Sequence, residues 1–224
     1  PDVILLPNSL MIGIARSLRS AVGVPIVCTL QGEDLFLDGM CEGLRREAIS
    51  LIREQVRFVD GFHAVSAYYA NYMGQLLDIP ARKMAVVPIG INLDGFDISV
   101  EEQGPVRIGY LARIAPEKGL HNLCEAYRLL RQRGDLPPTR LEVAGYLGRK
   151  HRGYLSGLEV EMAHHGLASE FRYHGALDRQ EKISFFRSLA IASMPTDCEE
   201  PKGFFLLEAM ACGVPVVQPR RGAF

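Results

Sequence analysis

Two carboxylates bracket a loop and the N-terminus of a predicted short helix in the stretch EEPKGFFLLEAMACGVPVV, residues 199–217. Glu200 precedes the loop, and Glu208 lies within residues 204–211, which favour a helix. The first turn of a helix presents N–H groups and a positive dipole end, which suit phosphate, and Gly203 would let a ligand approach closely. Glu208 could then accept hydrogen bonds from ligand hydroxyls such as those of a ribose.

The helix that carries Glu208 is apolar on nearly every face, which predicts that it is buried. A buried carboxylate is unfavourable unless it is paired or hydrogen-bonded, and a bound ligand is one source of such a partner. The alternative is a structural ion pair, for which Lys202 and Arg220 are close in sequence. The spacing leaves both explanations open.

Two cations flank a predicted loop in GYLARIAPEKGL, residues 109–120. Arg113 and Lys118 follow the end of a predicted strand and precede a predicted helix. Such a pair can hold a diphosphate, because arginine binds an oxyanion through two N–H groups and lysine adds a compact charge. The alternative is a solvated loop in which Lys118 pairs with Glu117 or faces water.

A third polar group follows a predicted strand in TLQGEDLFLDG, residues 29–39. Gln31, Glu33 and Asp34 would lie at the carboxyl end of that strand. Glu33 and Asp34 could bind an acceptor substrate, or they could cap the next helix.

The composition excludes several classes of protein. A formal net charge of −1 over 224 residues argues against a nucleic-acid partner. The five cysteines show no C-x-x-C pair or metal-ligand spacing, so we expect reduced thiols, no metal site and a cytoplasmic protein. No apolar run approaches the ~18 residues needed to span a bilayer. The redox-dinucleotide, P-loop, zinc-protease and nucleophile-elbow motifs are all missing from the sequence.

Strand and helix patterns alternate along the chain, which predicts an α/β fold with parallel, doubly wound sheets. Residues 89–105 are rich in Gly, Asp and Glu and lack periodicity, so two Rossmann-like domains are expected, at 1–92 and 106–224, joined by a linker at 93–105. Ligands of such sheets bind at the carboxyl ends of the strands, which places the expected site in a cleft between the domains. The predicted strands are 2–6, 25–30, 61–65, 84–88, 107–111, 140–145, 171–175, 190–195 and 214–218, and the predicted helices are 10–22, 41–59, 67–77, 119–133, 153–165, 178–188 and 204–211.

Three stretches together resemble the GT-B glycosyltransferases, specifically the large retaining family four. VVPIGINLDGF (86–96) is similar to the family's interdomain stretch, and IGYLARIAPEKGL (108–120) looks like its Arg-to-Lys phosphate loop. EEPKGFFLLEAMACGVPVV matches its E-x7-E motif and following tail nearly letter for letter. Earlier segments look like the later half of the family's first domain, so both domains are expected to be incomplete and the chain truncated at both ends.

The resemblance implies a role for each residue of the donor site. Arg113 and Lys118 would hold the diphosphate of the donor and stabilise it as it leaves. The helix start at Gly203, Phe204 and Phe205 would add backbone N–H groups.

It also implies that Glu208 binds the ribose hydroxyls and that Glu200 contacts the donor sugar near its reacting face. Relatives often have His where this chain has Gln31, and that position is thought to contact the donor sugar or the reaction centre. Gln31 can hydrogen-bond but cannot titrate near neutral pH.

The implied reaction is metal-independent transfer of a hexosyl unit from a nucleotide-diphosphate sugar, with retention of anomeric configuration and without a cofactor. The implied acceptor is a carbohydrate or a lipid-linked molecule, in cell-envelope or polysaccharide biosynthesis. Peripheral membrane association of the parent protein is common in the family. The 224-residue piece alone is expected to be inactive.

Two alternatives differ from this reading. Gln31 is compatible with a catalytically degenerate module that binds a nucleotide sugar without turnover. A GT-B epimerase or phosphorylase fits the E-x7-E stretch less well.

Overall fold

The computed structural model describes residues 1–98 and 104–224, so part of the predicted linker, residues 99–103, lies outside the described residues. The chain forms two compact units. The first contains Pro1–Ile89 with Glu200–Lys202 and Ala223, and the second contains Gly90–Glu199, Gly203–Gly222 and Phe224. Each unit holds one four-stranded sheet, and all strand pairs in both sheets are parallel.

The first unit has strand order β1-β2-β3-β4. Its apolar core contains side chains from the sheet and from the helices packed on it, such as Ile26 of β2 and Tyr69 of α4. The strands are β1 (Ile4–Leu6), β2 (Ile26–Leu30), β3 (Gly61–Ala64) and β4 (Met84–Val86), and the helices are α1 (Ala15–Val22), α2 (Asp34–Asp38), α3 (Glu42–Gln55) and α4 (Ala67–Leu76).

The second unit has strand order β7-β6-β5-β8. This order places β5 and β6 in the middle of the sheet, where their carboxyl ends lead into the loops that carry candidate site residues. The strands are β5 (Val106–Leu111), β6 (Thr139–Ala144), β7 (Phe171–Tyr173) and β8 (Ile191–Ala192), and the helices are α5 (Leu120–Gln132), α6 (Arg152–His164), α7 (Arg179–Arg187) and α8 (Phe204–Ala211).

Helices cover both faces of the second sheet. Leu141 and Val143 of β6 belong to a core with α5 and α6, whereas Ala144 belongs to a second core with α7 and α8. This division follows from the strand period of two, because successive side chains point to opposite faces. Full burial of one aliphatic side chain contributes ~1.5–3 kcal/mol, so both layers help to fix the sheet.

The predicted strand at 214–218 is wrong. Val216 forms only an isolated bridge with Ala192, and Val217 remains 60% exposed. Pro215 interrupts this segment and Pro219 directly follows it, and each lacks the N–H that a continuous ladder needs.

Two predicted helices differ from the structure at their ends. The helix predicted at 10–22 begins as a 3-10 turn at Ser9–Ile14 and becomes α-helical only at Ala15. The helix predicted at 41–59 ends at Gln55 and continues as a short 3-10 turn. Tertiary packing sets these boundaries, and apolar periodicity alone does not resolve them.

Candidate functional site

Two cations lie on the loop between β5 and α5. Arg113 donates to Glu117 at 2.6 Å, and both side chains are more than one third exposed. Exposed ion pairs of this kind contribute little to stability, so Arg113 can exchange Glu117 for a ligand phosphate at small cost. Lys118, the second cation, has its ammonium 3.9 Å from the sulfur of Cys198. If the loop were merely solvated, Glu117 was expected to pair with Lys118. In the structure Glu117 is bonded to Arg113.

Hydrogen bonds to its main chain hold this loop in place. The buried hydroxyl of Tyr110 donates to the Lys118 carbonyl at 3.1 Å, and burial raises the pKa of this phenol well above its usual value. The Ile114 amide donates to the Tyr146 carbonyl at 2.9 Å, which joins the loop after β5 to the loop after β6. The main chain that carries Arg113 and Lys118 is therefore fixed by hydrogen bonds.

Two glycines bring the backbones of neighbouring loops into direct contact. A Cβ on Gly119 would lie 1.8 Å from the Pro195 carbonyl oxygen, and Gly119 has φ +70°. A Cβ on Gly145 would lie 1.8 Å from the Ala112 carbonyl oxygen. Only glycine permits these two approaches.

The helix α8 begins at Phe204, as predicted, and Gly203 is its N-cap with φ +68°. Phe205 follows in the first turn, and its ring lies 5.7 Å from that of Phe224. The N-terminus of this eight-residue helix is thus a local source of backbone N–H groups. The prediction that α8 is buried is only partly right, because Ala209 is buried whereas Met210 is 59% exposed.

The Glu208 side chain pairs with Lys182 of α7, and the ammonium donates directly to Oε1 of the carboxylate. The Glu208 side chain is 13% exposed and that of Lys182 is 25% exposed. An ion pair was one of the two explanations left open by the sequence, which named Lys202 and Arg220 as the nearby candidates. The actual partner comes from another helix.

Glu33, in the first unit, is a buried hydrogen-bond centre. Its carboxylate accepts from the Ser9 amide and hydroxyl at 3.0 and 2.8 Å, from the Gln31 and Gly32 amides at 2.8 and 3.0 Å, and from the Tyr69 hydroxyl at 3.2 Å. A carboxylate with this many partners holds the loop after β2 in place.

Asp34 is also buried and is bonded to Tyr69, whose hydroxyl lies 2.7 Å from Oδ1. Burial raises the pKa of Asp34, although the Tyr69 hydrogen bond acts in the opposite direction. Burial, with Glu33 next, also raises the pKa of Tyr69. Asp34 is the first residue of α2, and the N-cap, Glu33, makes no side-chain capping bond. Glu33 therefore does not cap α2 with its side chain, whereas the amides of Asp34 and Leu35, at the start of the helix, interact with the Asp34 carboxyl and lower its pKa.

Gln31 and Glu200 occupy different settings in the first unit. The Gln31 side-chain amide donates to the Pro7 carbonyl at 2.9 Å. Glu200 is 5% exposed, and its backbone carbonyl accepts from the Ala223 amide at 2.8 Å. The two members of the E-x7-E motif thus fall in different compact units, with Glu208 in the second.

Within residues 1–98 and 104–224, no group of three or more His, Cys, Asp or Glu side chains could hold a metal ion. No helix in the same residues is both long enough and apolar enough to cross a membrane.

Comparison with protein families decides the relationship. The family model described as glycosyl transferases group 1 matches residues 95–222, and a glycosyl transferase 4-like domain matches residues 1–90. The chain belongs to the glycosyl transferases group 1 family. The resemblance to glycosyltransferases of this family, inferred from the sequence motifs, is confirmed.

Curated relatives of this group 1 chain include a glycogen synthase of Mycobacterium tuberculosis, 27% identical over 99% of the chain and 53% of the relative. A D-inositol 3-phosphate glycosyltransferase of Jonesia denitrificans is 30% identical over 66% of the chain and 38% of the relative. The chain spans about half the length, or less, of these relatives.

Solved structures of similar fold include Anabaena Alr3699/HepE in complex with UDP, with a TM-score of 0.85 and 19% identity over 99% of this chain and 60% of that one. Sucrose-phosphate synthase from Thermosynechococcus elongatus has a TM-score of 0.79 and 18% identity over 99% and 56% of the two chains. The predicted α/β fold with two parallel sheets is confirmed, and it is the GT-B fold.

The sequence analysis of this group 1 member missed Lys182 as a site residue. Lys182 is 26 positions from Glu208, and no motif links them. The one available signal was the predicted helix at 178–188, which follows a strand and carries a lysine in its first half.

Proposed function

We propose that this chain forms the donor-binding part of a retaining glycosyltransferase that uses a nucleotide-diphosphate sugar and needs no metal or cofactor. The observation that carries the proposal is the arrangement at the carboxyl edge of the second sheet. There Arg113 and Lys118 lie on the loop after β5, and the segment after β8 leads to the N-terminus of α8 and to Glu208. Solved neighbours bound to UDP and UDP-glucose support a nucleotide-sugar donor.

In the proposed reaction the bond between the sugar anomeric carbon and the diphosphate oxygen breaks. The acceptor hydroxyl oxygen forms a new bond to the same face of that carbon, and its proton passes to the leaving phosphate. Negative charge develops on the diphosphate, so Arg113, Lys118 and the N–H groups at Gly203, Phe204 and Phe205 would stabilise the transition state. These fixed positive groups would take the role that a metal ion has elsewhere.

The remaining residues would orient the substrates. Glu208 would accept from the ribose hydroxyls, and Glu200 would contact the donor sugar. Gln31 and Asp34 would act in the first domain, Gln31 near the donor sugar and Asp34 toward a carbohydrate or lipid-linked acceptor. We place the whole protein in the cytoplasm, in peripheral contact with a membrane and in polysaccharide or cell-envelope synthesis.

The proposal is tested first by binding. Calorimetric titration of this chain with UDP-glucose, ADP-glucose and GDP-mannose should identify one donor that binds, and Lys118→Met should weaken that donor at least tenfold, about 1.4 kcal/mol. Lys150→Met is the matched control, because Lys150 is an exposed lysine that is not among the groups proposed to bind the donor. Failure of all three donors to bind would contradict the proposal.

Turnover by the whole protein separates an enzyme from a degenerate binding module. Gln31 favours the second candidate, because its amide is already bonded to the Pro7 carbonyl. NMR detection of a product with the donor's anomeric configuration supports the enzyme, whereas binding without transfer or hydrolysis supports the module. The 224-residue chain should bind the donor without turning it over.

A further inference from the structure

The charged pair between Lys182 and Glu208 links two helices of the second unit. Lys182 lies on α7, Glu208 lies on α8, and the lysine ammonium donates to Oε1 of the carboxylate. Both side chains are largely shielded from water, the lysine at 25% and the glutamate at 13% exposure.

The position of Lys182 is fixed by the start of α7. Asp178 is the N-cap and accepts from the Glu181 amide at 2.9 Å, while the Glu181 carboxylate accepts from the Asp178 amide at 2.9 Å. This reciprocal capping box satisfies two N–H groups of the first turn. Farther along α7, Ile183 and Phe186 are buried in the core that this helix shares with α8. The capping box and these buried side chains therefore fix the main chain at Lys182.

The pair leaves acceptor capacity on Glu208. An ionised carboxylate offers roughly four lone-pair positions on two oxygens, and Lys182 occupies one of them. Ribose hydroxyls could thus bind to the same carboxylate while the ion pair stays intact. A partly buried pair of this type gives little net stability of its own, because desolvation offsets much of the attraction.

We propose that Lys182 is a positioning residue for nucleoside recognition: it holds the Glu208 carboxylate in one orientation for the ribose hydroxyls. The inference rests on the proposed role of Glu208 in donor binding. It predicts that the effect of Lys182 on affinity depends on the ribose hydroxyls and on nothing else in the ligand.

The test combines a protein variant with a ligand variant. UDP, ADP and GDP are titrated into this chain, and the one that binds is compared with its 2′,3′-dideoxy analogue. Lys182→Met should weaken the natural nucleotide ~5- to 30-fold and change the analogue less than about twofold. Lys182→Arg should restore most of the affinity, and the control Lys150→Met should change neither ligand.

Kinetics of the whole protein give a second measurement. Lys182→Met should raise the donor KM and leave kcat nearly unchanged, because ribose binding is the same in the ground and transition states. Lys182→Gln, of similar length, serves if the methionine variant fails to fold.

The outcomes separate the two proposals. If Lys182→Met weakens both ligands equally or neither, while Glu208→Gln weakens only the natural nucleotide, the inference is overturned and the proposed function stands. If none of the three diphosphates binds, or Glu208→Gln has no effect, both fall.

Discussion

At the scale of single residues, the candidate site consists of charges that already have protein partners. Arg113 is bonded to Glu117 and Glu208 to Lys182, whereas Glu33 and Asp34 share the Tyr69 hydroxyl. The first pair is exposed and easily exchanged, whereas the carboxylates near Tyr69 are buried. A ligand would therefore meet groups whose orientation is set in advance, which lowers the entropic cost of binding.

Removal of Glu117 should favour an anionic ligand. In Glu117→Gln, Arg113 loses its competing carboxylate, so the nucleoside diphosphate that binds among UDP, ADP and GDP should bind about two- to fivefold more tightly at low salt, with a change in unfolding free energy below ~1 kcal/mol. Arg113→Met should have the opposite effect on the same nucleotide. Titration calorimetry at low and high salt measures both, and weaker binding by Glu117→Gln would indicate that Glu117 positions Arg113.

Asp34 should make stability depend on pH. Because its pKa is raised in the folded state, folding favours the protonated form, and this contribution is present at low pH and lost as pH rises through the folded pKa. Asp34→Asn should therefore raise Tm at pH 7, and its advantage over the wild type should shrink as the pH falls toward the usual carboxyl range. Melting curves across pH 3–8 for both proteins, a span of about five units, test this. An equal gap at every pH would contradict it.

At the scale of helices and strands, short loops after parallel strands position the candidate residues. The helix at 204–211 was predicted to the residue, because Gly203 and Gly213 bracket a run of helix formers. The strand at 214–218 was predicted wrongly, because the apolar run was weighed above Pro215 within it, which removes an N–H from the ladder. The partner of Glu208 was also beyond prediction, because contacts across 26 residues depend on how α7 and α8 pack.

Gly119→Ala should strongly destabilise the second unit. The added Cβ would meet the Pro195 carbonyl at 1.8 Å, on a backbone with φ +70°, so the loops after β5 and β8 would have to separate. We expect a loss of more than ~2 kcal/mol in unfolding free energy, measured by denaturant titration. The matched control is Gly157→Ala in α6, where a Cβ meets no atom within 4 Å. It should stabilise the protein by ~0.5–1 kcal/mol, and equal effects of the two variants would refute the steric argument.

At the scale of the whole molecule, the chain contains two compact units, each with its own sheet and apolar core. The alternation of strand and helix patterns, with a Gly- and Asp-rich break between them, predicted two parallel sheets from the sequence alone. The order of strands within each sheet and the separation of Glu200 from Glu208 required the structure.

A bound nucleotide should stabilise the second unit selectively. Hydrogen exchange with a saturating amount of the nucleoside diphosphate that binds should show added protection in residues 106–119, 195–199 and 203–212, while the helices α3 and α4 of the first unit should exchange as before. The reason is that a ligand stabilises the state and the segment that it binds. Uniform protection throughout the chain would argue against a donor site confined to the proposed elements.

Gly145 allows the end of β6 to contact the Ala112 carbonyl with no side chain between them, and its amide donates to the Gly175 carbonyl at 2.8 Å. Because only main chain makes this contact, exchanging a neighbouring side chain disturbs it less than adding a side chain at residue 145 would. Substitutions that keep the contact are therefore expected at adjacent exposed positions such as Tyr146. A library that randomises Tyr146 and keeps Gly145 fixed should retain folded members, whereas randomising Gly145 should not.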